Sequence, residues 1–135
     1  LVFHHRRMEL KGFLKQHGQY GFHRGAFFSH GDRNSKELTY LAPLLLVLYL
    51  GTLPFIYILL WPLHMSSLTL YASLPLMLYC LLIALVFIQS LLKSKNLIVA
   101  FGAASTVALT HIYYGLNFIK GLKKGLNKNK AIYDK

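Results

Sequence analysis

"LTYLAPLLLVLYLGTLPFIYILLWPLHMSSLTLYASLPLMLYCLLIALVFIQSLL", residues 38–92, contains no Asp, Glu, Lys or Arg. Since about 20 apolar residues cross the ~30 Å hydrocarbon layer, a run of this length reads as two membrane spans joined by a turn. The turn is "PLHMSS", residues 62–67, which places the spans at 38–61 and 68–92. Pro43 and Pro54 fall in the first span. A kink is expected near Pro54, tolerated where neighbouring helices satisfy the freed carbonyl. Tyr40 and Trp61 stand near the ends of that span, where amphipathic rings settle at headgroup level. Cys80, the one cysteine, falls in the second span and is expected to act as a small buried hydrophobe.

Outward from this block, residues 97–119 form a third apolar segment of different composition. At 3.6 residues per turn, Gly102, Thr106, Thr110, Tyr113 and Asn117 share one face, and Ala104, Ala108, His111 and Gly115 another. Small and polar faces allow close helix approach and hydrogen bonding within a bilayer, so this segment is expected to pack against other helices. His111, Tyr114 and Asn117 are its intramembrane polar candidates. An ionisable side chain in an apolar segment marks a functional position, although a neutral histidine bonded to a neighbouring helix explains His111 equally well.

The net charge of +11 lies entirely outside residues 38–92. Arg6, Arg7, Lys11, Lys15, Arg24, Arg33 and Lys36 stand against Glu9, Asp32 and Glu37 at one end, and the basic tail at 120–135 holds six lysines against Asp134 at the other. Such flanks favour anionic lipid headgroups and phosphate-bearing ligands; nucleic acid is not expected, because a basic stretch joined to spans meets lipid first. Positive-inside asymmetry places the N-terminal segment and the "KSKN" loop, 93–96, in the cytoplasm. Three complete crossings then put the lysine tail outside, whereas two crossings plus a re-entrant or interfacial third segment put every cation on one side. The charge rule leaves that choice open, since it weighs early loops most.

Residues 1–37 form a basic interfacial segment. Within it, residues 8–20 suit an amphipathic helix lying in the headgroup plane, with Leu10, Phe13, Leu14, His17 and Tyr20 on one face and Lys11, Lys15 and Gln19 on the other. Gly18, Gly21, Gly25 and Gly31 are expected to break helical order, with Asn34 or Ser35 capping the helix that follows. The fold class is therefore an all-α membrane protein, an amphipathic interfacial helix followed by about three transmembrane or re-entrant helices over 38–119.

No nucleophile elbow, phosphate-binding loop or metalloprotease motif is present, and the four carboxylates include no pair placed for acid–base work. The histidines lack a cysteine or carboxylate pair at ligand spacing, so neither a metal nor a haem is expected in this chain. Arg6, Arg7 and Arg24 carry forked donors suited to phosphate, with Lys11 and Lys15 adding point charges. The chain opens at Leu1 without a cleavable signal pattern, and reads as the C-terminal part of a longer protein.

"HHRRMELKGFLKQHGQYGFHRG", residues 4–25, resembles the segment that closes the catalytic domain of membrane-anchored family 2 glycosyltransferases of the exopolysaccharide type, with His5, Arg7, Phe13, Gln16, Tyr20, Gly21 and Arg24 at the matching positions. "HIYYGLNFIKGL", 111–122, is similar to the closing motif of the same group through His111, Tyr114, Gly115, Phe118 and Gly121. The resemblance implies a GT-A type catalytic domain upstream, holding a divalent Mg or Mn ion and passing sugar from a nucleotide sugar to a lipid-linked or polysaccharide acceptor. It implies no catalytic residue in this chain, but substrate- or phosphate-facing roles for His5, Arg7, Gln16, Tyr20 and Arg24. The expected setting is polysaccharide synthesis at a bacterial or archaeal plasma membrane. The rival expectation is a small non-enzymatic anchor or scaffold subunit that holds anionic lipid through both basic ends.

Overall fold

A computed structural model describes residues 9–60, 62 and 66–133, so His5 and Arg7 lie outside the described residues. All of the regular structure among them is helical: α1 (Leu10–Ser29), a 3-10 turn (Asn34–Lys36), α2 (Leu38–Leu60), α3 (Ser66–Ser94) and α4 (Leu97–Tyr133). Three stretches, Leu38–Leu60, Ser67–Ser94 and Leu97–Asn127, are long and apolar enough to cross a bilayer. The chain is a membrane-embedded helical protein with a further helix ahead of the apolar ones.

The contacts divide the chain into two units, Leu1–Val47 with Leu109–Lys135, and Leu48–Ala108. In the second, tyrosines of α2 reach α3: Tyr49 Oη donates to the Ala72 carbonyl at 2.6 Å, and Tyr57 Oη pairs with Ser73 Oγ. Hydroxyls in an apolar layer must find protein partners, because hydrocarbon offers none. Asn96 starts α4, its Oδ1 accepting from the backbone N–H of Ile98 at 2.9 Å and of Val99 at 3.3 Å. Cys80 is exposed on α3, contrary to the expected burial, because α3 leaves its apolar surface open along its length.

The first unit contains the main departure from expectation. Gly18, Gly21 and Gly25 do not break α1, which runs through all three and buries them. An interior glycine costs roughly 1 kcal/mol of helix stability relative to Ala, so a compensating contact is needed. That contact is α4. A Cβ on Gly21 would strike the carbonyl of Tyr114, one on Gly25 that of Phe118, and one on Gly18 the ring of Tyr113. From the other side, a Cβ on Gly121 would strike the Phe22 carbonyl, and one on Gly125 would strike Ser29. Each helix thus carries a Gly-x-x-x-Gly pair, Gly21 with Gly25 and Gly121 with Gly125, and the two backbones meet without intervening side chains.

Only Gly31 ends the helix. It has φ +83°, and the N–H groups of Asp32 and Gly31 donate to the carbonyls of Phe27 at 3.2 Å and Phe28 at 3.1 Å, the paired bonds of a Schellman C-cap. Neither Asn34 nor Ser35 caps α2. Asp32 instead accepts from Ser35, and the Glu37 carbonyl, just before α2, accepts from the N–H groups of Tyr40 and Leu41. At the far end, α4 does not stop at residue 119 but continues through the lysines to Tyr133. Its buried positions include Ala104 and Gly115, on one of the two expected faces, while Gly102 on the other meets nothing within 4 Å.

Two kinds of glycine therefore have opposite expected responses. Gly25→Val forces α1 and α4 apart and should destabilise the protein by about 1–3 kcal/mol or more, as overpacking does. Gly102→Ala, in open space, should stabilise α4 by about 0.5–1 kcal/mol. Thermal unfolding in detergent, followed by circular dichroism, measures both.

Candidate functional site

Within the first unit, a cleft of about 690 Å³ opens between α1, the connection after it, the start of α2 and the later half of α4. Tyr20, His23, Arg24 and Phe27 come from α1, Asp32 and Asn34 from the connection, Tyr40 from α2 and Tyr114 from α4. The helical repeat brings Tyr20, Arg24 and Phe27 to one side of α1, while Gly18, Gly21 and Gly25 occupy the side against α4.

Arg24 is the central charge. Its Cζ lies 4.0 Å from the centroid of the Tyr40 ring, a cation–π distance that fixes the guanidinium while leaving forked N–H donors for another partner. Tyr20 is held by its own helix, where Gln16 Nε2 donates to Tyr20 Oη at 2.8 Å. That bond leaves the Tyr20 hydroxyl proton free to be donated. Tyr114 Oη is buried and has no hydrogen-bond partner among the described residues. A buried hydroxyl left without a partner costs about 1–3 kcal/mol.

Asp32 closes the polar rim. Its Oδ2 accepts from Ser35 Oγ at 2.6 Å and from the Ser35 N–H at 2.9 Å, and Ser35 is fully buried beneath it. The Ser35 hydroxyl bond is the main cause holding the Asp32 carboxyl below its ordinary 3.8; desolvation opposes it, and the Ser35 N–H and the Arg24 charge add to it.

Three of the residues singled out in sequence, Tyr20, Arg24 and Tyr114, meet in this cleft. Gln16 reaches it only through the Tyr20 hydroxyl. Asn117 points elsewhere, lining a hollow of about 160 Å³ with Lys15, Gly18, Gln19, Phe22 and Tyr113 and donating to the Tyr113 carbonyl at 2.7 Å. His111, partly buried on α4, lines neither. The sequence reading missed Phe27, Asp32 and Asn34 as cleft residues, took His23 with the other N-terminal histidines as solvated or phosphate-facing, and saw Tyr40 only as an interfacial anchor. Glycine spacing was the available signal, since Gly21 and Gly25 against α4 dictate which α1 side chains face away from it.

The described residues include no group of three His, Cys, Asp or Glu side chains able to hold a metal ion. The cleft brings together an anchored guanidinium, two tyrosines and an imidazole beside apolar rings, with the Asp32 carboxylate on its rim, where α2 begins. Comparison with protein-family models, curated proteins and solved structures finds no match to this chain.

The depressed Asp32 pKa carries a sign. The Ser35 bonds order the connection above the carboxyl's unfolded value and are lost as pH falls through the lower folded one. The Ser35 amide resonance should titrate with a midpoint below 3.8, and Asp32→Asn should remove that titration. Amide NMR of the protein in detergent reads both.

Proposed function

We propose that this chain is the C-terminal membrane module of a family 2 glycosyltransferase, and that the cleft around Arg24 holds the phosphate of a lipid-linked acceptor during polysaccharide synthesis. The single observation that carries this reading is the convergence of Arg24, Tyr20 and Tyr114 on one cleft at the entry of α2. Two separate sequence motifs, one in α1 and one in α4, supply those residues, and glycine contacts hold the motifs together.

Each residue has a distinct part. Arg24 supplies two parallel donors to phosphate oxygens, with the Tyr40 ring fixing their direction. Tyr20, turned by Gln16, and Tyr114 add neutral donors, and Phe27 gives the first carbons of a lipid tail an apolar wall. Donor sugar, divalent Mg or Mn and the catalytic carboxylate belong, in this reading, to a GT-A domain preceding α1. In the same reading that domain works on the cytoplasmic side of a bacterial or archaeal plasma membrane. The module contributes position: binding the acceptor phosphate at headgroup level brings its reacting end to a fixed height above the bilayer, which converts a two-dimensional search into a defined approach.

The full-length enzyme tests this. Losing a charged hydrogen-bond donor costs about 1.5–3 kcal/mol, so Arg24→Ala should raise the acceptor KM roughly 10- to 100-fold and leave the nucleotide-sugar KM unchanged. Tyr114→Phe, which keeps the packing, should produce a smaller shift of the same kind. If Arg24→Ala leaves sugar transfer and acceptor affinity unchanged, the assignment of this cleft is wrong.

A further inference from the structure

The contact between α1 and the later half of α4 carries a charge imbalance that the two helices do not resolve between them. Neither Leu10–Ser29 nor Leu97–Tyr133 contains an Asp or Glu, whereas the first holds Lys11, Lys15 and Arg24 and the second Lys120, Lys123, Lys124, Lys128 and Lys130. Backbones that meet at Gly21, Gly25, Gly121 and Gly125 bring these like charges towards one another. Such repulsion opposes the packing, and more so wherever water is excluded. An anion from outside the pair would relieve it.

Two adjoining hollows on one flank of the contact have the chemistry to take that anion. The first, of about 160 Å³, is lined by Lys15, Gln19 and Phe22 of α1 and by Tyr113 and Asn117 of α4, and the Lys124 ammonium stands 5.5 Å from the centroid of the Phe22 ring. The second, of about 440 Å³, is a trough lined by Leu10, Lys11, Leu14, Lys15 and Tyr113. Lys15 and Tyr113 border both. Among the described residues no carboxylate lines either hollow, Glu9 included, and neither shares a residue with the Arg24 cleft. From sequence, Lys11 and Lys15 were expected on the face of α1 away from Leu10 and Leu14. All four border the one trough instead, because Lys11, Lys15 and Gly18 share a side of the helix and Gly18 lies against Tyr113.

We propose that the two hollows together form a binding groove for one anionic glycerophospholipid, its phosphate beside Lys15 and an acyl chain laid along Leu10, Leu14 and the Tyr113 ring. The lining selects this occupant. A small inorganic anion would compensate the ammonium groups and leave the leucine trough unfilled, whereas a neutral lipid would fill the trough and leave Lys11 and Lys15 uncompensated. A lipid of net negative charge meets both demands. The Gln19 and Asn117 amides stand where a hydroxylated headgroup can bond to them. Bound there, the lipid touches both helices and counters the repulsion between them, so it ties α1 to α4. This groove is separate from the Arg24 cleft, and holds whether or not the chain takes part in sugar transfer.

Lipid binding to the full-length protein tests it. The delipidated protein in a neutral maltoside detergent is titrated with dioleoyl phosphatidylglycerol or dioleoyl phosphatidylcholine, and bound lipid is counted by native mass spectrometry. Phosphatidylglycerol should bind the more tightly. At about fivefold per lysine, the double variant Lys11→Gln/Lys15→Gln should weaken phosphatidylglycerol binding roughly 5- to 25-fold and leave phosphatidylcholine binding unchanged. Both lysines are exposed and Gln keeps the helix propensity, so the fold is retained. The control Lys93→Gln/Lys95→Gln removes the same charge from the α3–α4 loop and should change neither lipid. Equal weakening by both double variants, no weakening by the first, or no phosphatidylglycerol binding by the unaltered protein overturns the groove. Glycerol 3-phosphate separates a lipid from a soluble phosphate. Phosphatidylglycerol should raise the thermal unfolding midpoint and glycerol 3-phosphate at the same concentration should not; equal stabilisation by the two overturns the lipid assignment.

Discussion

The approach of the α1 backbone to the α4 backbone is the constraint from which the rest of the first unit follows. Inside or beside a bilayer, apolar side chains gain little by leaving lipid for protein, so helices associate through close van der Waals contact and interhelical polar contacts. Glycine offers the closest contact and the weakest isolated helix. With Gly12, Gly18, Gly21 and Gly25, α1 is a poor helix alone, and its order depends on α4 being in place. The dependence is mutual, since Gly115, Gly121 and Gly125 weaken the second half of α4 unless α1 and the start of α2 cover them.

The same register sets the cleft. Once Gly21 and Gly25 face α4, Arg24 and Tyr20 are turned to the adjacent side and Tyr114 comes level with them. Phe118, fully buried, packs its ring 5.9 Å from that of Phe28 and 6.4 Å from that of Tyr114, which fixes Tyr114 from below. The Schellman turn at Gly31 and the Asp32–Ser35 bonds then reverse the chain in few residues, and α2 begins with Tyr40 under the guanidinium. A local rule at each step, a glycine contact, a C-cap and a side-chain bond, produces a site none of them contains.

The membrane class and the three apolar helices were legible in sequence because they depend on composition summed over long windows, where a charge-free stretch such as 38–92 has no other stable reading. Gly31 was legible as a helix end, and Gly18, Gly21 and Gly25 were misread as ends, for one reason. Local propensity treats all glycines alike, whereas whether a glycine stops a helix or is packed within it depends on a partner some 90 residues away. The same limit applies to residues 120–133, whose lysines suggest a tail until α1 is seen against Gly121 and Gly125. Of the site, Arg24, Tyr20 and Tyr114 were legible from side-chain chemistry and motif. Asp32 and Asn34 were not, because their place in the cleft follows from a turn whose direction depends on tertiary packing.

Tyr114 shows what this arrangement leaves unbalanced. Tyr49 and Tyr57 have found partners on α3, yet the Tyr114 hydroxyl is buried with none among the described residues. Phenylalanine would fill the same volume without that cost, as Phe118 does one turn further along α4. Nor does the surrounding packing relax to remove the mismatch, because Gly21 lies against the Tyr114 carbonyl and Phe118 against its ring. A rigid backbone contact thus holds an unsatisfied hydroxyl in a residue that lines the same cleft as the Arg24 guanidinium.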